Sequence, residues 1–322
     1  MKKLPWTQEE IDILRNNFLS ENGKVRVCEL LTNRTRPAIM TKASDLKLNP
    51  LKNYYKNENF FEVPNTLNSS ISGIIASDGH MYMGNKKDGG RVEVYQNTED
   101  EEMLEQIKIA TESNHIIKRR KRKYHISMNR KQPSIGIGYS STLSFYNPHK
   151  WIKDINKNWN IPIGHKSYII NSPPIIFNNL DYQLAYIYGL ISGDGSVYIK
   201  GRSLTITIRA TLPLLTWCKQ VVSTFLKENL NTTITKEKNS KYLYFLDVNG
   251  YKAIRLFEKM RSLNCVKLSR KWDNPAILAH IVEKRANPLF LQRLDNPKKK
   301  QESLSQPAPS SVNTHDILVN TV

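Results

Sequence analysis

Two stretches, ISGIIASDG at Ile71–Gly79 and IYGLISGDG at Ile187–Gly195, repeat each other in register. Isoleucine, glycine, an apolar residue, isoleucine, a small residue, aspartate and glycine recur, and internal repetition of this kind marks duplicated structural units. Each stretch reads as an apolar helix ending in Asp-Gly. Gly73 and Ser77 stand four residues apart, as do Gly189 and Gly193, so each helix carries small residues on one face. Two such helices can approach closely as a pseudo-twofold pair, which brings Asp78 and Asp194 together at their C-terminal ends. The helix dipole is negative there. Two carboxylates at such a place are unfavourable unless a cation compensates them, and hard oxygen ligands of this kind suit Mg²⁺. A single Asp-Gly would equally well read as a helix closed by a glycine cap. Two copies in matching register, in a strongly basic chain, favour the paired-carboxylate reading.

The repeated stretch is similar to the motif of the LAGLIDADG homing endonucleases, in the form that carries two motifs on one chain. The resemblance implies an α+β fold: two pseudo-symmetric αββαββα halves form a DNA-binding saddle, preceded here by a small three-helix domain. It implies a site-specific double-stranded DNA endonuclease that hydrolyses one phosphodiester per strand, with Asp78 and Asp194 as catalytic and metal-holding residues. Mg²⁺ is the implied cofactor, with Mn²⁺ expected to substitute. The implied partner is duplex DNA with a long, near-asymmetric site, bound by a monomer. The sixth position of the motif is not acidic in either copy (Ala76 and Ser192), whereas the metal-binding aspartate is kept in both. In parts of the family a lysine near the end of each half lies close to the active centre. Lys166 in NIPIGHKSY and Lys267 in LNCVKLSRKW occupy that setting, with Lys271 a rival for Lys267.

Behind the second motif, Val197 and Ile199 alternate with Ser196, Tyr198 and Lys200, and Leu204, Ile206 and Ile208 alternate with Thr205, Thr207 and Arg209. This period of two predicts strands with one apolar face and one polar face. Lys200, Thr205, Thr207 and Arg209 on the polar face are candidates for contacts with bases and phosphates. A helix is expected over Leu212–Leu226, strands near Thr232 and Tyr242, and a helix over Tyr251–Leu263. The first half repeats this order, with strands near Met81, Val92, Ile116 and Ile135 and helices over Glu101–Ser113 and after Pro148. The basic run Lys118, Arg119, Arg120, Lys121, Arg122 and Lys123 falls on an expected DNA-facing strand, and phosphate contact is its expected role.

Upstream, Thr7 followed by Glu10 reads as a capping box opening a helix with Ile11, Leu14 and Phe18 at helical spacing. Two further short helices are expected, the third starting at Thr35 with Pro37 in its first turn. Trp6, Phe18, Leu31, Ile39, Ala43 and Leu46 would form a small core. WTQEEIDILRNNF followed by NRTRPAIMTKASDLKL resembles a Myb/SANT-like helix-turn-helix module, which implies DNA contact through Arg34, Arg36 and Lys42; a plain three-helix bundle with a solvated basic face is the alternative. The expected organisation is a module over residues 1–50, a linker over 51–66, halves over 67–178 and 179–285, and a C-terminal extension over 286–322. The extension is expected to be largely disordered from about Asn296, where the composition cannot bury a core.

Charge fits this picture. The chain of 322 residues carries 48 Lys and Arg against 29 Asp and Glu, a formal charge of +19, which suits a polyanionic partner. No signal-type core or membrane-length apolar run is visible. A soluble protein of the cytoplasm, nucleoid or an organelle is expected. Cys28, Cys218 and Cys265 lack the spacing of a zinc site or disulfide framework. Two competing readings are a non-catalytic RNA maturase or DNA-binding regulator on the same saddle, and a Myb-like transcription factor. The latter leaves the repeated motifs unexplained.

Overall fold

The computed structural model describes residues 5–18, 23–46, 48, 54–84, 89–126, 134–164, 174, 178–238, 240–288 and 290–291, with the main chain alone for 23–24, 122–126 and 134–137. Lys166 and the tail from about Asn296 lie outside them. The chain divides into two compact units, Met1–Lys56 with Glu112–His115, and Asn57–Thr111 with Ile116–Val322.

The first unit holds helices α1 (Gln8–Asn17), α2 (Gly23–Leu30) and α3 (Arg36–Asp45). Thr7 and Glu10 form the expected capping box, and Thr35 caps α3 ahead of Pro37. Leu14, Phe18, Val27, Leu31, Ile39 and Ala43 make the core, with Trp6 and Leu46 packed against it.

The second unit runs α4 (Thr66–Asp78), β1 (Gly79–Tyr82), β2 (Arg91–Asn97), α5 (Glu101–Ala110), β3 (Ile117–Ile126), β4 (Ser134–Tyr146) and α6 (His149–Trp159). It then repeats the order as α7 (Leu180–Ser192), β5 (Ser196–Lys200), β6 (Ser203–Ala210), α8 (Leu212–Leu226), β7 (Thr235–Lys236), β8 (Tyr244–Asn249) and α9 (Tyr251–Ser262). Each half is therefore αββαββα, and each builds an antiparallel sheet, in the orders β1-β2-β4-β3 and β5-β6-β8-β7. Two further helices, α10 (Ser269–Trp272) and α11 (Pro275–Arg285), follow. The sequence reading did not anticipate α11, although Asn274 and Pro275 are a cap and a first-turn proline.

Within the stretch expected as a linker, 51–66, the residues from Asn57 onward pack as part of the second unit. Phe61 is fully buried, packed edge-on against Trp151 at 5.0 Å and Trp159 at 5.8 Å. The Trp151 indole N–H donates to the Asn57 carbonyl at 2.8 Å, and Asn158 Nδ2 donates to the Phe61 carbonyl at 2.9 Å. Two adjacent aromatics carry enough apolar surface to draw a polar stretch into the core. No helix among the described residues is long and apolar enough to cross a membrane.

Candidate active site and nucleic-acid interface

The centre is built on the α4–α7 pair. Both helices are buried over most of their length, and their glycines face each other. A Cβ on Gly73 would lie 2.1 Å from the Tyr186 carbonyl oxygen, and one on Gly189 would lie 2.1 Å from that of Ser70. The backbones thus meet where any side chain would collide. One turn further on, a Cβ on Gly193 would lie 1.9 Å from Ser77 Oγ and 3.0 Å from Asp78 Oδ2. The second motif's Gly-Asp turn therefore sits directly against the first motif's aspartate. Gly79 and Gly195 are not left-handed caps. A Cβ on either would lie 2.6 Å from the Cα of the isoleucine four residues earlier, Ile75 or Ile191, so close approach of the following strand requires glycine there.

The two ends differ in detail. Asp78 is the last residue of α4, and Gln96 Nε2 donates to its Oδ2 at 2.6 Å. Asp194 stands past the α7 cap residue, Gly193, and Arg209 Nη1 donates to its carbonyl oxygen at 3.4 Å. Beneath that turn lies Lys271, 5 % exposed, whose ammonium donates at 2.8 Å to each of the carbonyls of Ile191, Ser192, Gly193 and Gly195. Burial, aided by Arg270, draws its pKa down to about 8, against the pull of Asp78, Asp100 and Asp194. It is thus a cation at the negative end of α7, within electrostatic reach of both motif aspartates. The Trp272 indole fixes it from the next position, donating to Ser192 Oγ at 2.9 Å and stacking on Tyr188 at 4.1 Å.

Of the two rival lysines, Lys271 is the one whose Nζ is found at this end. Lys267 is held through its main chain, which pairs with the Gln106 amide at 2.8 and 3.2 Å. That pairing, with Arg270 on Asp100 at 2.8 Å, ties the segment after α9 to α5 of the other half. Gln96 was missed, though its signal was present: it breaks the apolar alternation of Val92 and Val94.

Strand registers sort the expected DNA contacts. Lys118 pairs with Thr142 and Arg120 with Ser140, on the sheet face opposite the apolar one that holds Val94 and Leu143. Arg119 and Lys121 alternate to the other face, that of Ile117 and Leu143, and Arg119 is held by Glu101 at 2.6 and 2.8 Å. The described members of the basic run therefore divide between the two faces of the sheet. Arg122 and Lys123 have side chains outside the described residues. Lys200 and Arg209 are exposed on the open face of the second sheet. Thr205 and Thr207 share that face but are 1 % and 5 % exposed. Their hydroxyls donate to Asn249 Oδ1 at 2.8 Å and Asp247 Oδ1 at 2.6 Å, so each hydroxyl hydrogen is spent within the sheet.

In the first unit Arg36 is exposed and Lys42 half-buried. Arg34 is half-buried: its guanidinium grips Glu10 through Nε and Nη2, both at 2.8 Å, donates to the Pro5 carbonyl and lies over the Trp6 ring. The Arg34 hydrogen bonds hold the Glu10 carboxyl well below the usual range, at about 2.

No family model and no curated protein matches the chain. Solved structures do. The chain is similar to the meganuclease I-SmaMI bound to uncleaveable DNA, at 12 % identity and a TM-score of 0.42, over 74 % of this chain and 98 % of that one. It is similar to the LAGLIDADG homing endonuclease I-GzeII in complex with its DNA target, at 13 % identity and a TM-score of 0.39, over 76 % and 100 % of the two chains. Full-length DUF199/WhiA from Thermatoga maritima gives 12 % identity and a TM-score of 0.38, over 77 % and 72 %.

No group of three or more His, Cys, Asp or Glu side chains able to hold a metal occurs among the described residues. The donor set is instead two neighbouring acidic positions at helix ends. Mg²⁺ takes sets of that kind, keeping waters and using one or two carboxylates with substrate phosphates.

Proposed function

We propose that this chain is a site-specific double-stranded DNA endonuclease of the LAGLIDADG type. The observation that carries the proposal is the seating of the Gly193-Asp194 turn against the side chains of Ser77 and Asp78, one turn beyond the backbone contact of Gly73 with Gly189, in a unit whose two sheets bear exposed cations on their open faces. Asp78 and Asp194 would hold Mg²⁺, which when bound polarises a phosphate oxygen and acidifies a water. Gln96 orients the Asp78 carboxylate. Lys271 fixes the Asp194 turn and offsets the negative charge gathered there. Arg209, exposed beside that turn, meets a phosphate in this reading. Lys118, Arg120 and Lys200 bind the backbone of a duplex laid across the open faces, supplying affinity without sequence preference. Arg36 and Lys42 give the first unit a duplex contact of its own.

Lys271 also favours a second reading, a duplex-binding protein without catalysis, because a built-in ammonium is what a metal-free acid pair needs. Cleavage separates the two. A randomised duplex library incubated with and without Mg²⁺, with the ends sequenced, gives the target, which is then placed on a plasmid. Asp78→Asn and Asp194→Asn should each leave nicking of one strand or no cleavage at saturating Mg²⁺, with gel-shift affinity and thermal melt kept. Wild-type linearisation by the double variant would overturn the catalytic assignment. Target binding without Mg²⁺-dependent ends would favour the second reading.

A further inference from the structure

Thr205 and Thr207 lie side by side in alternation on β6, and each donates its hydroxyl across the sheet to the polar side chain opposite it on β8. The two acceptors differ in chemistry. Asn249 is exposed and receives the Thr205 hydrogen on its amide oxygen, which turns its NH₂ outward as a donor. Asp247 is half-buried and has only acceptor oxygens to present. A carboxylate on the open face of a chain with a formal charge of +19 repels every phosphate brought to it. Among duplex features, its favourable partner is a base-edge amino group. In the major groove the exocyclic N4 amine of cytosine is the donor that carboxylates accept from, whereas adenine places the N7 acceptor beside its N6 amine.

We infer that β8 is a reading strand on which Asp247 selects cytosine, and that Thr207 and Thr205 position the two readers. The inference rests on the proposal of duplex binding. Asn249 stands two residues along the same face, roughly 7 Å away, or about two base-pair steps at ~3.4 Å each. It offers a donor to a purine N7 or O6 or a thymine O4, a less exclusive match. Each threonine hydroxyl ties one oxygen of its reader and so fixes its orientation.

The test is selection from a randomised duplex library without metal by the full chain, with base preferences tabulated by position. The wild type should prefer cytosine by about tenfold at one position or more. Asp247→Asn, which keeps the size of the side chain, should abolish that preference at a single position and admit adenine there, with the other positions unchanged. Thr207→Val, which removes the hydroxyl alone, should weaken the same preference by about threefold and no other. Identical preferences in wild type and Asp247→Asn overturn the inference and leave duplex binding standing. An equal loss at all positions makes Asp247 structural and also overturns it. Absence of any duplex selection by the wild type overturns the proposed function itself, and this inference with it.

Discussion

The two halves of the second unit share element order, sheet order and the glycine contact, yet they finish their acidic ends differently. Asp78 ends its helix and is held by a side-chain amide, whereas Asp194 lies beyond its helix, on a turn held from below by an ammonium. His80 pairs with Glu93 just as Ser196 pairs with Thr207, and counting three residues on matches Gln96 with the small Ala210. The edges differ too. The first half extends β3 and β4 to Ile126 and Tyr146 and carries the basic run there, while β7 is only Thr235–Lys236. Symmetry is strict where two backbones must touch and relaxed where each half meets its own side chains. If the chain cuts DNA, the two strands are cut by unequal machinery.

The largest effect should come from the shared feature. Gly73→Ala and Gly189→Ala each drive a methyl into a main-chain carbonyl 2.1 Å away, where no flexible side chain can give. Each should cost more than about 3 kcal/mol and lower the thermal midpoint or prevent soluble expression. The two should act alike. A wild-type melt for either would dismantle the paired-helix description.

Next comes Lys271→Met, which preserves most of the volume but strips the donors from four carbonyls. Orphaned buried acceptors should lower stability by about 2–3 kcal/mol. Cleavage of the strand served by Asp194 should fall furthest, read as accumulated nicked plasmid. Equal slowing of both strands in a folded variant would mean that the ammonium serves both aspartates rather than one turn.

The repeated motif made the fold legible from sequence, because helical spacing of glycines and strand alternation survive without knowing what pairs with what. What stays illegible depends on partners distant in sequence. Thr205 and Thr207 are on the expected face, but only the β6–β8 register brings Asn249 and Asp247 opposite them. Arg34 reads as an exposed cation until Glu10, already engaged as a helix cap, is found to carry a second role. Lys271 sits in a basic segment, SRKW, that looks like surface; Trp272 beside it was the clue that the segment turns inward. Alternation separates the odd from the even members of the run at Lys118–Lys123, and composition alone does not.

Gln96→Leu sharpens the comparison from the other side. It removes the donor to Asp78 and keeps an apolar fit beside Val94, so the fold should hold. Loss of a charge-assisted hydrogen bond should slow the Asp78 strand by about tenfold and leave the Asp194 strand at its wild-type rate. Strand-resolved kinetics on an end-labelled duplex measure both. An unchanged Asp78 strand would make Gln96 a packing residue.

The smallest effect at any one salt concentration should come from the basic edge of the first half. Lys118 and Arg120 lie on the open face, so Lys118→Ser with Arg120→Ser should weaken binding to every duplex alike, by about threefold near physiological salt. The stronger signature is the salt slope. Each lost phosphate contact removes about 0.9 from the slope of log K against log salt, so the pair should flatten it by about 1.8. Arg119→Ser with Lys121→Ser supplies the control within the same strand, because these two residues alternate to the opposite face and Arg119 is neutralised by Glu101. That second pair should leave the slope within about 0.5 of wild type. Equal flattening by both pairs would mean that the edge binds as a diffuse cationic ribbon and not through one face. The long β3–β4 edge would then differ from its short counterpart in charge alone.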